Sequence, residues 1–299
     1  MEILNDVENY LVIENGKVKQ KSFLQDIELN DNHLIIKEDA KIQIVYLFST
    51  EENNLFEITV NDNINVDLIE MYEASCQCSY TKLINIKENS FVTRYVENST
   101  NSHKKIEITE NVKVYKDANI KCAYVELDDY STLAKIKYDL VGEGANVNLR
   151  LASLSKEKEK KNYEMTLNHQ SANTFGDMDN YGIVKSNATL VIDGVGRIEK
   201  GKHQSSTHQT NKIIVFDSGC VAKANPYLYI DEYDVKASHG ASVGKIDEDH
   251  LYYLQSRGLS KQDAMHLVTY GYFLPVLEFI TVDSLKDRFS QVLKDKVGL

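Results

Sequence analysis

The feature that most constrains this chain is a succession of short apolar alternations running from His33 to Ile192 with no helix-like segment between them. Apolar residues recur at every second position through His33-Leu34-Ile35-Ile36, Ile42-Gln43-Ile44-Val45-Tyr46-Leu47, Phe56-Glu57-Ile58-Thr59-Val60 and Ile64-Asn65-Val66-Asp67-Leu68-Ile69. The pattern continues through Phe91 to Val96, Ile120 to Val125, Asn146 to Leu151, Tyr163 to Leu167 and Ala188 to Ile192. A period of two is that of a strand with one buried face. Many short strands without helical crossovers leave a sandwich, a barrel or a β-solenoid.

Turn chemistry separates these. Hairpin dipeptides are scarce: Asn-Gly occurs at Asn15-Gly16, between Tyr10-Leu11-Val12-Ile13 and Lys17-Val18-Lys19, and Asp-Gly at Asp193-Gly194. A meander of this length would carry more of them. Steps such as Lys116-Asp117-Ala118-Asn119-Ile120 and Gly142-Glu143-Gly144-Ala145-Asn146-Val147 read instead as corners between strands that continue in one sense. The pattern favours a solenoid, though without a strict repeat.

Near Ile246 the period switches to that of helices. Asp247 is placed to cap a first helix with Glu248 and Asp249 in its first turn, and Gly258 to end it. Ser260 and Asp263 resemble a capping box for a second, which Pro275 should kink or break. A third opens near Asp283-Ser284 and presents Leu285, Phe289, Val292 and Leu293. The expectation is a mainly β chain: a short N-terminal segment (1–20), a parallel β-helix core (21–245) and a C-terminal helical unit (246–299).

A net charge of -11 over 299 residues argues against a nucleic-acid footprint, which wants clustered Lys and Arg. Four cysteines, Cys76, Cys78, Cys122 and Cys220, are too few for a disulfide framework in a chain this long. The N-terminus carries Glu2, Asp6 and Glu8 rather than a basic region followed by an apolar one, and no segment reaches the ~18 apolar residues of a membrane span. A cytoplasmic protein is expected, with no membrane or nucleic-acid partner.

Several residues invite a chemical reading. Gly196-Arg197-Ile198-Glu199-Lys200-Gly201-Lys202-His203 nearly spells a phosphate-binding loop, but His203 stands where a Ser or Thr must reach magnesium, so a strand-connecting turn is the better account. Cys76 and Cys78 would face one side of a strand, yet no further ligands lie near, and buried free thiols are the simpler reading. The run Lys156-Glu157-Lys158-Glu159-Lys160-Lys161 reads as a solvated loop tip. His239, in Ala237-Ser238-His239-Gly240-Ala241, is either a turn histidine packed at the β-to-helix junction or a metal ligand.

The block Ser238-His239-Gly240-Ala241, then Gly244-Lys245-Ile246-Asp247, then Leu251-Tyr252-Tyr253-Leu254-Gln255-Ser256-Arg257-Gly258 resembles the C-terminal signature of the SufB/SufD family of iron–sulfur cluster assembly scaffolds. Gly194-Val195-Gly196-Arg197-Ile198 and Asn225-Pro226 through Asp234-Val235 extend the likeness over roughly the last third of the chain. The resemblance implies a right-handed parallel β-helix and a non-catalytic role. His203 and His208 sit in the stretch where SufB-type proteins carry a cysteine, and Thr210 takes that cysteine's place, two residues before the strand Lys212 to Phe216. The closely spaced cysteine motif of the SufB branch is also absent, which places the chain on the SufD side.

On that resemblance His239 matches a SufD histidine at the SufB–SufD interface. The chain alone would hold no cofactor tightly, and iron or a transient iron–sulfur cluster would sit between subunits, SufB supplying cysteine. The implied partners are a SufB-type subunit and a SufC-type ABC ATPase, the latter meeting Leu251, Tyr252, Leu254, Leu267 and Tyr270 of the helical unit; self-dimerisation in isolation is a further expectation. Ala237 stands where many SufD proteins have cysteine. Arg197, Arg257 and Asp247 match family positions but are explained by turns and caps, and the family's N-terminal helical region is expected to be missing. The alternatives are a SufB-like homodimeric scaffold, which would need its own thiols near Thr210, and a carbohydrate-active β-helix protein, which would need a catalytic cluster on one solenoid face.

Overall fold

The computed structural model describes residues 3–51, 53–100 and 103–297. Met1, Glu2 and the last two residues of the expected helical unit lie outside the described residues. Two antiparallel pairs open the chain: β1 (Asn9–Glu14) with β2 (Lys17–Ser22), and β3 (Ile27–Asn30) with β4 (His33–Ile36). Asn15 and Gly16 both have positive φ (49° and 74°), the geometry a two-residue hairpin turn requires. From there the strands alternate between two sheets. One receives β5 (Ala40–Phe48), β7 (Asn65–Ala74), β9 (Phe91–Asn98), β11 (Asn119–Glu126), β13 (Asn146–Ser155), β15 (Phe175–Val184), β17 (Ser206–Val215) and β19 (Lys236–Lys245). The other receives β6 (Asn53–Val60), β8 (Cys78–Ile86), β10 (Lys105–Val114), β12 (Ser131–Leu140), β14 (Lys160–His169), β16 (Thr189–Ile198) and β18 (Val221–Ile230).

Each strand pairs in parallel with the strand two places on, giving a ten-stranded and a nine-stranded sheet that face each other across a lumen. This is the parallel β-solenoid that the scarcity of hairpin turns favoured among the architectures the alternation left open. Along β8, β10 and β16 every second residue is buried, and the inward rows of all coils merge into one core running from Leu11 to Ile213. Asp193-Gly194 is not a turn. It lies in the middle of β16, where Gly194 faces the lumen against the side chains of Gln209 and Asn211.

The corners explain the scattered Asn and Asp residues. Asn63, Asn89, Asp117, Gly144, Asn173 and Gln204 all have positive φ, a conformation that short polar side chains and glycine tolerate best. Each donates its backbone N–H to a carbonyl in the next coil, from Asn63 to Glu88 (2.9 Å) up to Gln204 to Asp234 (2.6 Å). The corner at Gly142 also requires close approach, because a Cβ there would lie 2.0 Å from the backbone nitrogen of Lys116.

The lumen is not uniformly apolar. Arg94, fully buried on β9, donates through Nε to Glu70 (2.6 Å) and through its two terminal nitrogens to Glu110 (2.6 and 2.7 Å). Lys82 donates to Glu70 at 2.5 Å and lies 4.5 Å above the Tyr72 ring, within a stack of Tyr46, Tyr72 and Tyr80. Burial pushes the Glu110 carboxyl up, but the charge and hydrogen bonds of Arg94, with Lys82 and Tyr124, outweigh it and hold the group at about 2. Further along, Glu126 accepts from the hydroxyls of Tyr130 and Tyr163. Burial dominates there and raises its pKa to about 7.

The charge run near residue 156 is not simply a solvated tip. Glu157 and Lys158 are exposed, but Glu159 is buried and Lys161 fully so, its ammonium donating to the carbonyls of Glu126 (3.0 Å) and Asp128 (2.8 Å). Alternation decides this: Lys161 falls on the inward row of β14.

Three helices follow: α1 (Glu248–Ser256), α2 (Lys261–Leu277) and α3 (Asp283–Val297). Asp247 accepts from the N–H groups of Asp249 and His250, and Ser260 from that of Asp263. Arg257 is the C-cap of α1 and Gly258 follows with φ +96°. Pro275 lies inside α2 close to its end, and the helix continues through it to Leu277. α2 and α3 pack on the outer face of the ten-stranded sheet, where Phe273, Val276, Phe289 and Leu293 meet Met71, Tyr95, Val125, Leu154 and Ile183. Ion pairs fasten α3 to the same face, from Arg288 to Glu97 (2.6 Å) and Lys296 to Asp129 (2.7 Å).

Two predictions follow from these interiors. Gly142→Ala should destabilise the fold by about 3 kcal/mol or more, because the clash is with backbone that no rotamer can relieve; a denaturant midpoint equal to wild type would contradict this. The folded protein binds the Glu126 proton more tightly than the unfolded chain, whose value is near 4.5. Stability should therefore fall as pH rises from about 4.5 through 7, by an amount on the order of 3 kcal/mol for a fully buried group. Thermal melts of Glu126→Gln across this range should lack that component of the slope.

Candidate functional site at the open end of the solenoid

Strand β19 closes the ten-stranded sheet and β18 the nine-stranded one, and among the described residues no strand pairs with either beyond. The effect on burial is direct. Every second residue of β13 is buried, whereas β19 is exposed along nearly its whole length. The two last strands present unpaired backbone donors and acceptors, a template for another strand. Exposed Val221, Tyr227, Tyr229 and Val243 decorate this end.

His239 is not a turn residue at the β-to-helix junction. It lies within β19, exposed, opposite Gln209 of β17, which in turn lies opposite Met178 of β15. Gln209 and Met178 are fully buried lumen residues, so strand parity puts His239 on the inward row, left open because no later coil covers it. Below it the lumen is polar. Gln209 donates to the carbonyl of Tyr227 (2.7 Å), and Asn180 to Asn211 (2.8 Å). The Gln209 carbonyl oxygen, the Asn211 amide nitrogen and the Thr207 hydroxyl are buried without hydrogen-bond partners. Deeper still, burial holds His169 at about 4, a neutral imidazole bonded to Thr174 at 2.8 Å.

The outer row of the same strands differs. Thr210 lies inside β17 rather than ahead of a strand, opposite Asp179 on β15 and Gly240 on β19. His208, opposite Asp177, joins Asp177 and Asp179 in a group whose ligand atoms lie within 4.8 Å of one another. His208 bonds Ser238 through Nδ1 (2.6 Å) and approaches Thr210 through Nε2 (3.3 Å). His203 sits apart, exposed in the turn before β17. Asp177 and Asp179 were not singled out by sequence, since a pair of aspartates two apart in a strand meets a histidine of the next coil only when register is known.

The cysteines are dispersed. Cys78 opens β8, buried, with a thiol that burial raises to about 12, while Cys76 is half-buried in the turn before it. They do not share a strand face as the spacing alone suggested. Cys122 lies in the lumen, raised by burial to about 11, and Cys220 is half-buried just ahead of β18.

A family profile described as SUF system FeS cluster assembly, SufBD core domain, matches residues 26–272. The chain belongs to the SufB/SufD family. The iron–sulfur cluster assembly protein SufD of Bacillus subtilis is 25% identical over 279 residues, covering 88% of this chain and 62% of that protein. SufD of Escherichia coli is 30% identical over 106 residues, 36% of this chain and 25% of its own length. A SufBD family protein of Staphylococcus saprophyticus is 24% identical over 253 residues, 80% of this chain and 53% of its own. Within the SufB/SufD family the likeness falls on the SufD side, and the chain spans about half to three-fifths of the length of the relatives it matches most extensively.

Of the helical residues with an expected partner role, Tyr252 and Leu267 are exposed and Leu254 is half-buried. Leu251 is buried, and Tyr270 packs toward the solenoid. Exposed Tyr253 and Leu274 extend the outward surface. Among the described residues no helix is long and apolar enough to cross a membrane.

If the end is open in solution, amides of β18 and β19 should exchange with solvent faster than those of interior strands such as β13, which have neighbours on both sides. Hydrogen exchange resolved by peptide would show it, and equal protection in β19 and β13 would mean that something already covers the edge.

Proposed function

We propose that this chain is a SufD-like scaffold subunit of a cytosolic iron–sulfur cluster assembly complex. It pairs edge to edge with a SufB-type subunit through β18 and β19. The observation that carries this reading is the uncovered solenoid end, where among the described residues the last strand of each sheet has no further neighbour and His239 stands on the inward row of one of them. A partner strand laid against β19 would continue the sheet and bring its own side chains beside His239. Neutral imidazole offers one nitrogen to iron, and cysteine from the partner would supply the soft ligands that this end lacks. The cluster is cargo, made at the interface and passed on.

A SufC-type ABC ATPase would meet the helical unit. Tyr252, Leu254 and Leu267 would form its contact, with Tyr253 and Leu274 alongside and Leu251 and Tyr270 supporting them from within. α2 and α3 are fastened to the outer face of the ten-stranded sheet, so force applied to them by the ATPase would reach the solenoid directly. A homodimer through the same edges would bring two copies of His239 together but no thiol on the facing strands, Cys220 lying ahead of β18.

The test is co-expression with SufB-type and SufC-type partners, wild type beside His239→Ala, followed by anaerobic reconstitution with iron and sulfide read by absorbance. The expected result is a complex in both cases, with cluster yield lost in the variant alone. Normal yield in the variant would remove His239 from the site, and failure of any complex to form would overturn the scaffold reading.

A further inference from the structure

The outer face of the same strands carries a second constellation, separate from His239 because alternate residues of a strand point to opposite faces. Asp177 and Asp179 stand two apart on β15, and His208 lies opposite Asp177 on β17. Their ligand atoms converge within 4.8 Å. Neighbouring groups hold all three. A single guanidinium nitrogen of Arg150 reaches Oδ2 of Asp177 (2.8 Å) and Oδ2 of Asp179 (3.3 Å), setting the carboxylates side by side. Arg150 is itself fixed by the carbonyl of Leu149 (2.9 Å) and by the ring of Phe279 at 4.7 Å. Neither Oδ1 has a hydrogen-bond partner among the described residues, so each carboxylate keeps one oxygen available.

His208 is held in the same manner. Its Nδ1 meets the Ser238 hydroxyl of β19 at 2.6 Å, while Nε2 has only the longer approach to Thr210 at 3.3 Å. A histidine anchored through one ring nitrogen presents the other with a defined direction, and ligating carboxylates are commonly braced by a neighbouring donor in the way Arg150 braces these. The cluster is half-exposed at the edge of the area covered by α2 and α3, open to ions from solvent.

We infer that Asp177, Asp179 and His208 form a binding site for a single divalent first-row transition ion. Two carboxylate oxygens and one imidazole nitrogen suit the borderline ions manganese(II), iron(II) and zinc(II) rather than a cluster, which wants thiolates. Three protein ligands leave the remaining positions to water, so the ion is bound exchangeably. The site belongs to this chain alone and does not depend on pairing with another subunit.

The test uses the full chain by itself and manganese(II) as probe, with free aquo ion counted by electron paramagnetic resonance and iron(II) added anaerobically as competitor. One manganese(II) per chain is expected, displaced by iron(II). Asp177→Asn and His208→Ala should each weaken binding at least ~10-fold, in line with the loss of one ligand or its support, and Ser238→Ala should weaken it in the same direction. His239→Ala should leave the affinity unchanged. All of these positions lie outside the core, and circular dichroism would verify the fold of each variant. Absence of stoichiometric binding by wild type, or binding that survives Asp177→Asn and His208→Ala unaltered, overturns the proposal. Binding lost in His239→Ala would place the ion at the lumen mouth and overturn it equally.

Discussion

Unbroken parallel register is the constraint on which the rest of this molecule depends. Each strand from β5 to β17 hydrogen-bonds to the strand one coil earlier and one coil later, and inward and outward rows are preserved from Ala40 through Val66, Val92, Ile120 and Val147. A slip of one residue in any coil would turn every lumen side chain of that coil outward. Corners therefore have to be uniform, which is why a left-handed residue and its inter-coil N–H bond recur in six successive coils. The same rule makes the final coil different in kind. It is built like the others, but among the described residues no further coil covers it.

Register also explains why charges can be kept inside. Arg94, Lys82, Glu70 and Glu110 come from β9, β8, β7 and β10, and stacking of successive coils brings them into one closed group with no net charge. Removing any one partner would strand a buried charge at a cost of about 3–5 kcal/mol. The tyrosine hydroxyls around them satisfy remaining lone pairs, and stacked rings of Tyr46, Tyr72 and Tyr80 shield Lys82 from water. Glu126 lacks an equivalent side-chain cation at hydrogen-bonding distance, because Lys161 spends its donors on backbone carbonyls. Desolvation raises both carboxyls, and only at Glu110 do paired cations reverse it.

The solenoid was legible in the sequence because alternation and corner chemistry are local: Asp117 and Gly144 mark corners wherever they are read. The caps at Asp247 and Ser260 were legible for the same reason. What could not be read depended on parity within a coil. Lys161 looks like one charge among six until β14 places it on the inward row, and Asp193-Gly194 looks like a hairpin until it pairs with Asn225-Pro226 in mid-strand. His239 was recognisable as unusual from its small neighbours, but its position inside an edge strand emerged only from its pairing with Gln209. Leu251 and Tyr270 carry an expected partner contact on the resemblance; helical spacing alone did not reveal that Leu251 is buried and that Tyr270 packs half-buried against the cluster α2 and α3 share with the solenoid.

Parity finally separates the two histidines that the sequence set near one another. Gln209 lies between His208 and Thr210 and is buried, so those two neighbours face outward while His239, opposite Gln209, faces the lumen mouth. An ion held by His208 could not be shared with His239, because the backbone of the sheet stands between them. Their surroundings differ accordingly: carboxylates and a guanidinium on one side, uncharged amides and hydroxyls on the other. A hard or borderline ion favours the first environment, where opposite charge is fixed in place. The second, with no charge of its own, would depend on ligands brought by whatever covers β19. The open edge leaves the outer backbone hydrogen bonds of β18 and β19 unmade within the sheets, and one added strand alongside either would satisfy them.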